Sequence, residues 1–382
     1  MVAKHGARAQ GASRRPTLNV MVMLMVLVVA VVAGVAFGAA NVISAVSTTT
    51  TASTLPATTT TTIAPSNVTL SAVGDTELGN TPQLPANPTA YLAPIKAALA
   101  APIVFGNLEG TMTSATTSKC APTSTECYAF HVPTSYAAVY RAAGFTVLHA
   151  ANNHSHDFGV QGAADTTAAL RAVGIAQAGL PGQIGVVREG TTTVAFVGFA
   201  PYSNTNDLLN FTAAAQLIAQ AKRIANVVVV YMHAGAEGSD ADHVTRTSEF
   251  YLGEDRGNPF AFAHAAIDDG ADLVLASGPH VLRAMEWYRG HLIAYSLGDF
   301  ANYDNFAAQG VLRLSAILHV TLSSTGSFLS GHFTSVVLSP SGQPSVDPTD
   351  GAAAFVNGLS VADFGANAAR ISANGTVIAP AG

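Results

Sequence analysis

Five side chains of the kinds that hold metal ions are spaced along this chain, one to a segment: Asp75, Glu109, Asn153, His233 and His280. Each stands just past a short apolar run. Carboxylate, amide and imidazole donors with no thiolate cluster suit divalent manganese, iron or zinc better than copper. The densest stretch is Ala151-Asn152-Asn153-His154-Ser155-His156-Asp157-Phe158-Gly159. An amide carbonyl beside an imidazole there suits a metal, or a metal together with a proton donor, His154. A plainer reading has Asn152 and Asn153 making turns and Asp157 capping the next helix. Glu237, four residues after His233, reads as a carboxylate that orients that imidazole, and it joins His154 as a candidate catalytic group. His156 and Asp299 read as an exposed turn histidine and a loop-capping carboxylate.

Groups so far apart in sequence need a scaffold that returns each of them to one place. Apolar, partly β-branched runs at 68–73, 103–105, 145–148, 194–199, 226–231 and 273–276 predict buried strands. Ala-rich stretches at 91–100, 135–143, 163–173, 208–225 and 258–269 predict helices between them. This alternation is the pattern of an α/β domain. It predicts that the five residues lie at the carboxyl ends of strands of one sheet, where open sheets build their sites. Beyond His280 the pattern changes. A hairpin over 284–297, with Arg289-Gly290 at its turn, and longer strands at 311–322 and 328–338 predict an antiparallel second sheet packed on the first. The part from Asp347 onward reads as a closing element of the same domain, and no internal repeat is visible.

Of 382 residues, 49% are hydrophobic and 10% charged, which supports a large packed core. Part of the apolar excess is local. Residues 20–40 carry no charge and match the length of a membrane-crossing helix. Lys4, Arg8, Arg14 and Arg15 precede this run and the next basic residue is Lys96. The positive-inside rule then predicts a single-pass anchor with 1–19 in the cytoplasm and the rest of the chain outside the cell membrane. The alternative is a signal peptide cut near Gly38, Ala39 and Ala40, with secretion of the remainder. Residues 41–66, dominated by Thr, Ser, Ala and Pro, read as a tether, and 67–382 as the folded domain. Four of the 17 Lys and Arg precede the apolar run, which leaves 13 against 23 Asp and Glu. That acidic balance, with no basic stripe, argues against nucleic acid as a partner. Cys120 and Cys127, with a Pro-containing loop between them, read as a disulfide staple in an exported protein. A two-cysteine metal site lacks further ligands nearby.

In order along the chain, Val73-Gly-Asp75, Asn107-Leu-Glu109-Gly, Ala151-Asn-Asn-His154 with Asp157-Phe-Gly159, His233-Ala-Gly-Ala-Glu237-Gly, Gly278-Pro-His280-Val and Tyr295-Ser-Leu-Gly298 form an ordered set. It resembles the bacterial CapA proteins of capsule and poly-γ-glutamate synthesis, a family related to the calcineurin-like metallophosphoesterases. The resemblance spans nearly all of the chain beyond the tether. It implies a four-layer α/β/β/α sandwich of the metallophosphoesterase type, preceded here by the transmembrane helix. It also implies roles: Asp75 and His280 on one divalent metal, Asn153 and His233 on a second, Glu109 bridging the two, and His154 as proton donor or phosphate contact. A bridging carboxylate lowers the repulsion between two cations that together activate water. The implied partners are an anionic envelope polymer or its precursor and membrane proteins of a polymer-synthesis complex. The resemblance leaves three functions open: a metal-dependent hydrolase, a phosphoesterase of another envelope substrate, and a polymer-binding scaffold. Two positions depart from the wider phosphoesterase pattern, with Glu77 and Gly278 where those enzymes have histidines. Each departure removes an imidazole, which implies a labile or single-metal site.

Overall fold

A computed structural model describes residues 65–124, 127–306 and 308–378, all of them within one compact unit. Two sheets form its middle. The first is built around β1 (Val68–Glu77), which pairs in parallel with β2 (Ile103–Leu108). From β2 the sheet continues in parallel through β3 (Val147–His149) to β4 (Ala176–Ala178). The second sheet starts with β5 (Gly185–Glu189), which is antiparallel to β6 (Thr192–Phe199). It then runs in parallel through β7 (Val227–His233) and β8 (Leu273–Ser277). The hairpin of β9 (Met285–Tyr288) and β10 (His291–Ala294) completes it, with β10 parallel to β8.

The chain then returns to the first sheet. β11 (Asp299–Asn302) pairs in parallel with the end of β1, and β12 (Leu314–Leu322) lies antiparallel along its start. β13 (Phe328–Leu338) and β14 (Pro344–Val346) extend that edge. Two expectations are corrected by this layout. The strands ending at Asp75, Glu109 and Asn153 belong to one sheet, and those ending at His233 and His280 belong to the other. The late antiparallel section makes no sheet of its own; it supplies the edges of both. Local periodicity marks a strand but carries no information on its partner, which long-range packing selects.

Three apolar clusters account for the layering. One lies between the sheets, where Val68, Phe105, Val147, Phe196, Val229, Leu275 and Leu318 meet. A second packs the outer face of the first sheet under α1 (Pro88–Tyr91), α2 (Lys96–Leu99), α3 (Tyr136–Ala143) and α4 (Gly159–Ala172). The third packs the outer face of the other sheet under α5 (Phe211–Ile224) and α6 (Pro259–Asp268). α7 (Gly351–Phe364) contributes to the inter-sheet cluster and to the third. The central strands are buried on both faces and therefore read as unbroken apolar runs. The helix expected over 91–100 is split into α1 and α2, because Pro94 has no N–H and cannot continue it.

Among the described residues no helix is long and apolar enough to cross a membrane. The segment 20–40 lies outside the described residues, as does the tether apart from its last two positions. Cys120 and Cys127 are joined by a disulfide, with an S–S distance of 2.07 Å.

Candidate metal centre

The inter-sheet core changes from apolar to polar at the carboxyl ends of its strands. Side chains alternate across a strand, so every second residue faces the same layer. On β2 the row Ile103-Phe105 continues into Asn107, and then into Glu109 just beyond the strand. On β7 the row Val227-Val229-Tyr231 ends in His233, and on β8 Leu273-Leu275 ends in Ser277. All four terminal residues are fully or almost fully buried. Asp75 reaches the same place through a break in the β1–β2 register between Ala72 and Asp75.

One donor atom from each of Asp75, Glu109, His280 and Asp299 lies within 4.8 Å of the other three, and all four residues are buried. His280 Nδ1 is 2.7 Å from Asp299 Oδ1 and 3.4 Å from Asp75 Oδ2. Its Nε2 is 3.7 Å from Glu109 Oε1 and 3.8 Å from Glu237 Oε2. His233 approaches from the other side, with Nε2 3.7 Å from the same Glu109 Oε1 and Nδ1 3.7 Å from Asp75 Oδ1. The structure thus gathers Asp75, Glu109, His233 and His280. It adds Asp299, whose reading as a loop cap is overturned: the parallel β1–β11 pairing sets Asp75 opposite Asp299. Asn153 makes no side-chain bond to these groups among the described residues.

Buried polar atoms without partners test whether the pocket fits a cation. Both carboxylate oxygens of Glu109, Nε2 of His233 and Oδ1 of Asn153 are buried without a hydrogen bond among the described residues. Each is an acceptor or lone-pair donor of the kind a divalent ion satisfies, and leaving such a group unpaired costs about 1–3 kcal/mol. The donor set fits a divalent metal of oxygen and imidazole preference. Burial alone would raise the Asp75 acid, but the imidazoles of His233 and His280 outweigh it and hold the carboxyl well below its usual range. Glu109 is pushed well up by burial and by the charge of Asp75. Burial alone would lower His280, yet the charges of Glu109 and Asp299 raise it well above an ordinary histidine. The charges of the acids around it thus favour the protonated form of the His280 imidazole.

A second set of bonds fixes these groups. Asp75 accepts from Asn107 Nδ2 at 2.7 Å, from the Gly278 amide at 3.2 Å and from the Ser277 hydroxyl, which itself accepts from Tyr231. Asn107 also approaches His233 Nδ1, at 3.3 Å, and accepts from Asn152 Nδ2 at 2.9 Å. Glu237 therefore does not orient His233; Asn107 does, and Glu237 lies against His280. Asn152 donates also to the Leu108 carbonyl and links the third strand end to the second. Sequence reasoning missed Asn107 and Ser277. Their signal was the two-residue period of otherwise apolar rows.

His154 is nearly buried beside this centre. Its Nδ1 bonds Asp157 Oδ2 at 2.8 Å and its ring packs on Phe130. Burial lowers its basicity against the opposing charge of Asp157. The neutral ring with Nδ1–H donated to Asp157 leaves the Nε2 lone pair available to accept a proton or hydrogen bond. Asp157 is not the cap of α4, whose N-cap residue is Phe158; it accepts from the Phe130 amide at 2.6 Å and pairs with Lys119 at 2.6 Å. The His156 ring bonds its neighbour Ser155 and, among the described residues, no group of the centre. Glu77, by contrast, is buried with no hydrogen bond to either oxygen by geometry among the described residues, and burial, opposed by the nearby Gly79 amide and helped by the charges of Asp157 and Asp299, raises its acid well above the usual range.

Residues 69–304 match the family model described as bacterial capsule synthesis protein PGA_cap. The chain is 33% identical over 211 residues to the PGA biosynthesis protein CapA of Bacillus subtilis, covering 50% of this chain and 51% of that one. It is 30% identical over 180 residues to the capsule biosynthesis protein CapA of Bacillus anthracis, covering 42% and 41%. The chain therefore matches about half the length of these curated relatives, or less. Among solved structures, a 5'-nucleotidase precursor of Thermus thermophilus superposes with a TM-score of 0.41 at 12% identity, over 72% of this chain and 56% of that one.

Proposed function

Since the chain belongs to the PGA_cap family of bacterial capsule synthesis proteins, we propose that it acts in the synthesis, export or anchoring of an anionic surface polymer, of the capsule or poly-γ-glutamate type. The work is done at a divalent-metal centre held by Asp75, Glu109, His280 and Asp299, with His233 and Asn153 available to a second ion, on a scaffold of the metallophosphoesterase type. The observation that carries this reading is Glu109, a fully buried carboxylate with no hydrogen bond to either oxygen among the described residues, set among three further donors. A bound divalent ion would supply Lewis acidity toward a phosphoryl or carbonyl oxygen and make nearby water more acidic.

The chain's own groups have distinct tasks. Asp75 is locked by Asn107, Ser277 and the Gly278 amide, so it meets its ligand without reorganising. His154, kept neutral and aimed by Asp157, receives a proton or a hydrogen bond at Nε2. Phe130 packs on His154, Phe306 stacks on His280, and the two phenyl rings touch, so a wall of aromatic carbon keeps water from one side of the centre. The reading extends to location: the domain is held outside the cell membrane by residues 20–40, where such a polymer is handled.

Metal analysis of the purified full chain tests the proposal, followed by assay of γ-linked polyglutamate and of phosphoesters with and without chelator. Bound manganese, iron or zinc and chelator-sensitive turnover are expected. A metal-free wild type, with Glu109→Ala fully restoring polymer formation in a null strain, would overturn it. A second reading, a scaffold that grips polymer without turnover, is favoured by one feature. Gly278, with φ at +113°, offers Asp75 an amide where related enzymes offer an imidazole. Metal uptake with no turnover on either class of substrate would select it.

A further inference from the structure

Arg256 is nearly buried, yet it comes from an exposed hairpin, Phe250–Tyr251 with Glu254–Asp255, that no part of the proposed chemistry uses. Its Nη1 lies 2.9 Å from Glu237 Oε1, while the other oxygen of that carboxylate faces His280 Nε2 at 3.8 Å. The guanidinium is framed by the rings of Tyr202 and Tyr251, at 5.8 and 5.5 Å, and its Nε lies 3.2 Å from Glu254 Oε2. Tyr202 in turn donates to Glu254 at 3.1 Å. The backbone of Arg256 is fixed at both ends, its N–H to the Glu249 carbonyl and its carbonyl to the Gly235 amide. Gly235 lies two residues from both His233 and Glu237. Three loops thus converge to hold one planar cation against one carboxylate.

From this geometry we infer that Arg256 is a positioning residue of the metal centre, one that acts through Glu237. Glu237 is partly open to solvent and, released, would turn its charge into water. Held by Arg256, it keeps an anionic oxygen beside His280, on the solvent side of Glu109, where it stabilises a cation seated there. The inference rests on the metal-centre reading above. Position and charge predict opposite outcomes when Arg256 is removed. Loss of a positive charge near the centre should by itself tighten cation binding. Loss of the grip on Glu237 should weaken it.

Titration of the metal-free full chain with Mn²⁺ by calorimetry decides between them. Arg256→Met is expected to weaken Mn²⁺ binding by about tenfold, as is Glu237→Gln, and the double variant is expected to be no weaker than either single one. Arg256→Lys is run beside it, because Arg256→Met removes a buried charge. The lysine variant keeps the charge without the planar fork, and it should also bind Mn²⁺ more weakly than wild type. Unchanged or tighter binding in Arg256→Lys, or single effects that multiply in the double variant, would overturn the inference and leave the metal centre standing. A wild type that takes up none of Mn²⁺, Fe²⁺ and Zn²⁺ would instead remove the metal centre, and this role with it.

Discussion

Gly278 holds a backbone angle that side chains rarely adopt, and a Cβ there would stand 3.0 Å from the Ala234 amide and 3.3 Å from His233 Nε2. Gly278→His should therefore distort His233 and reduce metal content; a tighter site in the same measurement would show that the backbone yields. Glu109→Ala should empty the whole centre, whereas Asp75→Ala should lower affinity and leave partial occupancy, read by elemental analysis after dialysis. Glu77 makes a pH prediction. Its folded pKa is raised above the unfolded value of 4.5, so the folded state holds the proton more tightly. Stability of the metal-free protein should then fall as pH rises from about 4.5 through the folded value. Glu77→Gln should flatten that part of the profile in melting experiments, and an unchanged slope would exclude Glu77 as its source. At this scale Asp75, Glu109, His233 and His280 were legible because a polar residue ending an apolar run is conspicuous. Asp299 was not, since it follows Gly298 and looks like any loop acid until β11 is seen beside β1.

The loop between β7 and α6 is held by a buried ion pair. Arg283, three residues after His280, meets both oxygens of Glu249, at 3.1 and 2.8 Å, and also reaches the carbonyls of Ala236 and Ala241. Arg283→Met should cost about 3–5 kcal/mol in urea unfolding, because Glu249 would stay buried and unpaired. Pairing it with Glu249→Leu should recover much of that loss, and a double variant no better than the single would assign the damage to the carbonyl contacts instead. The short cysteine loop is a smaller constraint: reduction should cost at most about 3 kcal/mol, measured as a shift in the urea midpoint. Strands were the most legible elements, since burial on both faces gives each an apolar run in sequence. Their division into two sheets was not, because β12 lies beside β1 through contacts between residues far apart in numbering, as Leu318 opposite Ala72 illustrates. The break between α1 and α2 was open to view in Pro94.

Taken whole, the molecule should fractionate with the membrane and lose its folded domain to protease added outside wall-stripped cells. This follows from the uncharged run 20–40 and the basic residues before it. A mature form in the culture fluid that lacks this run would show a cleaved signal peptide. The folded part has a further property, in the order of its making. β1 is the first strand among the described residues, yet it lies inside its sheet, between β2 and the late strands β11 and β12. Until residues near Leu322 exist, one edge of β1 has no partner, and His280 and Asp299 are missing for most of that time. The centre therefore cannot be completed before Asp299 has been made, and until then its early strands wait with an open edge that invites wrong pairing. Folding of such long-range contacts is slow, so a helper that shields the β1 edge would act before any metal could.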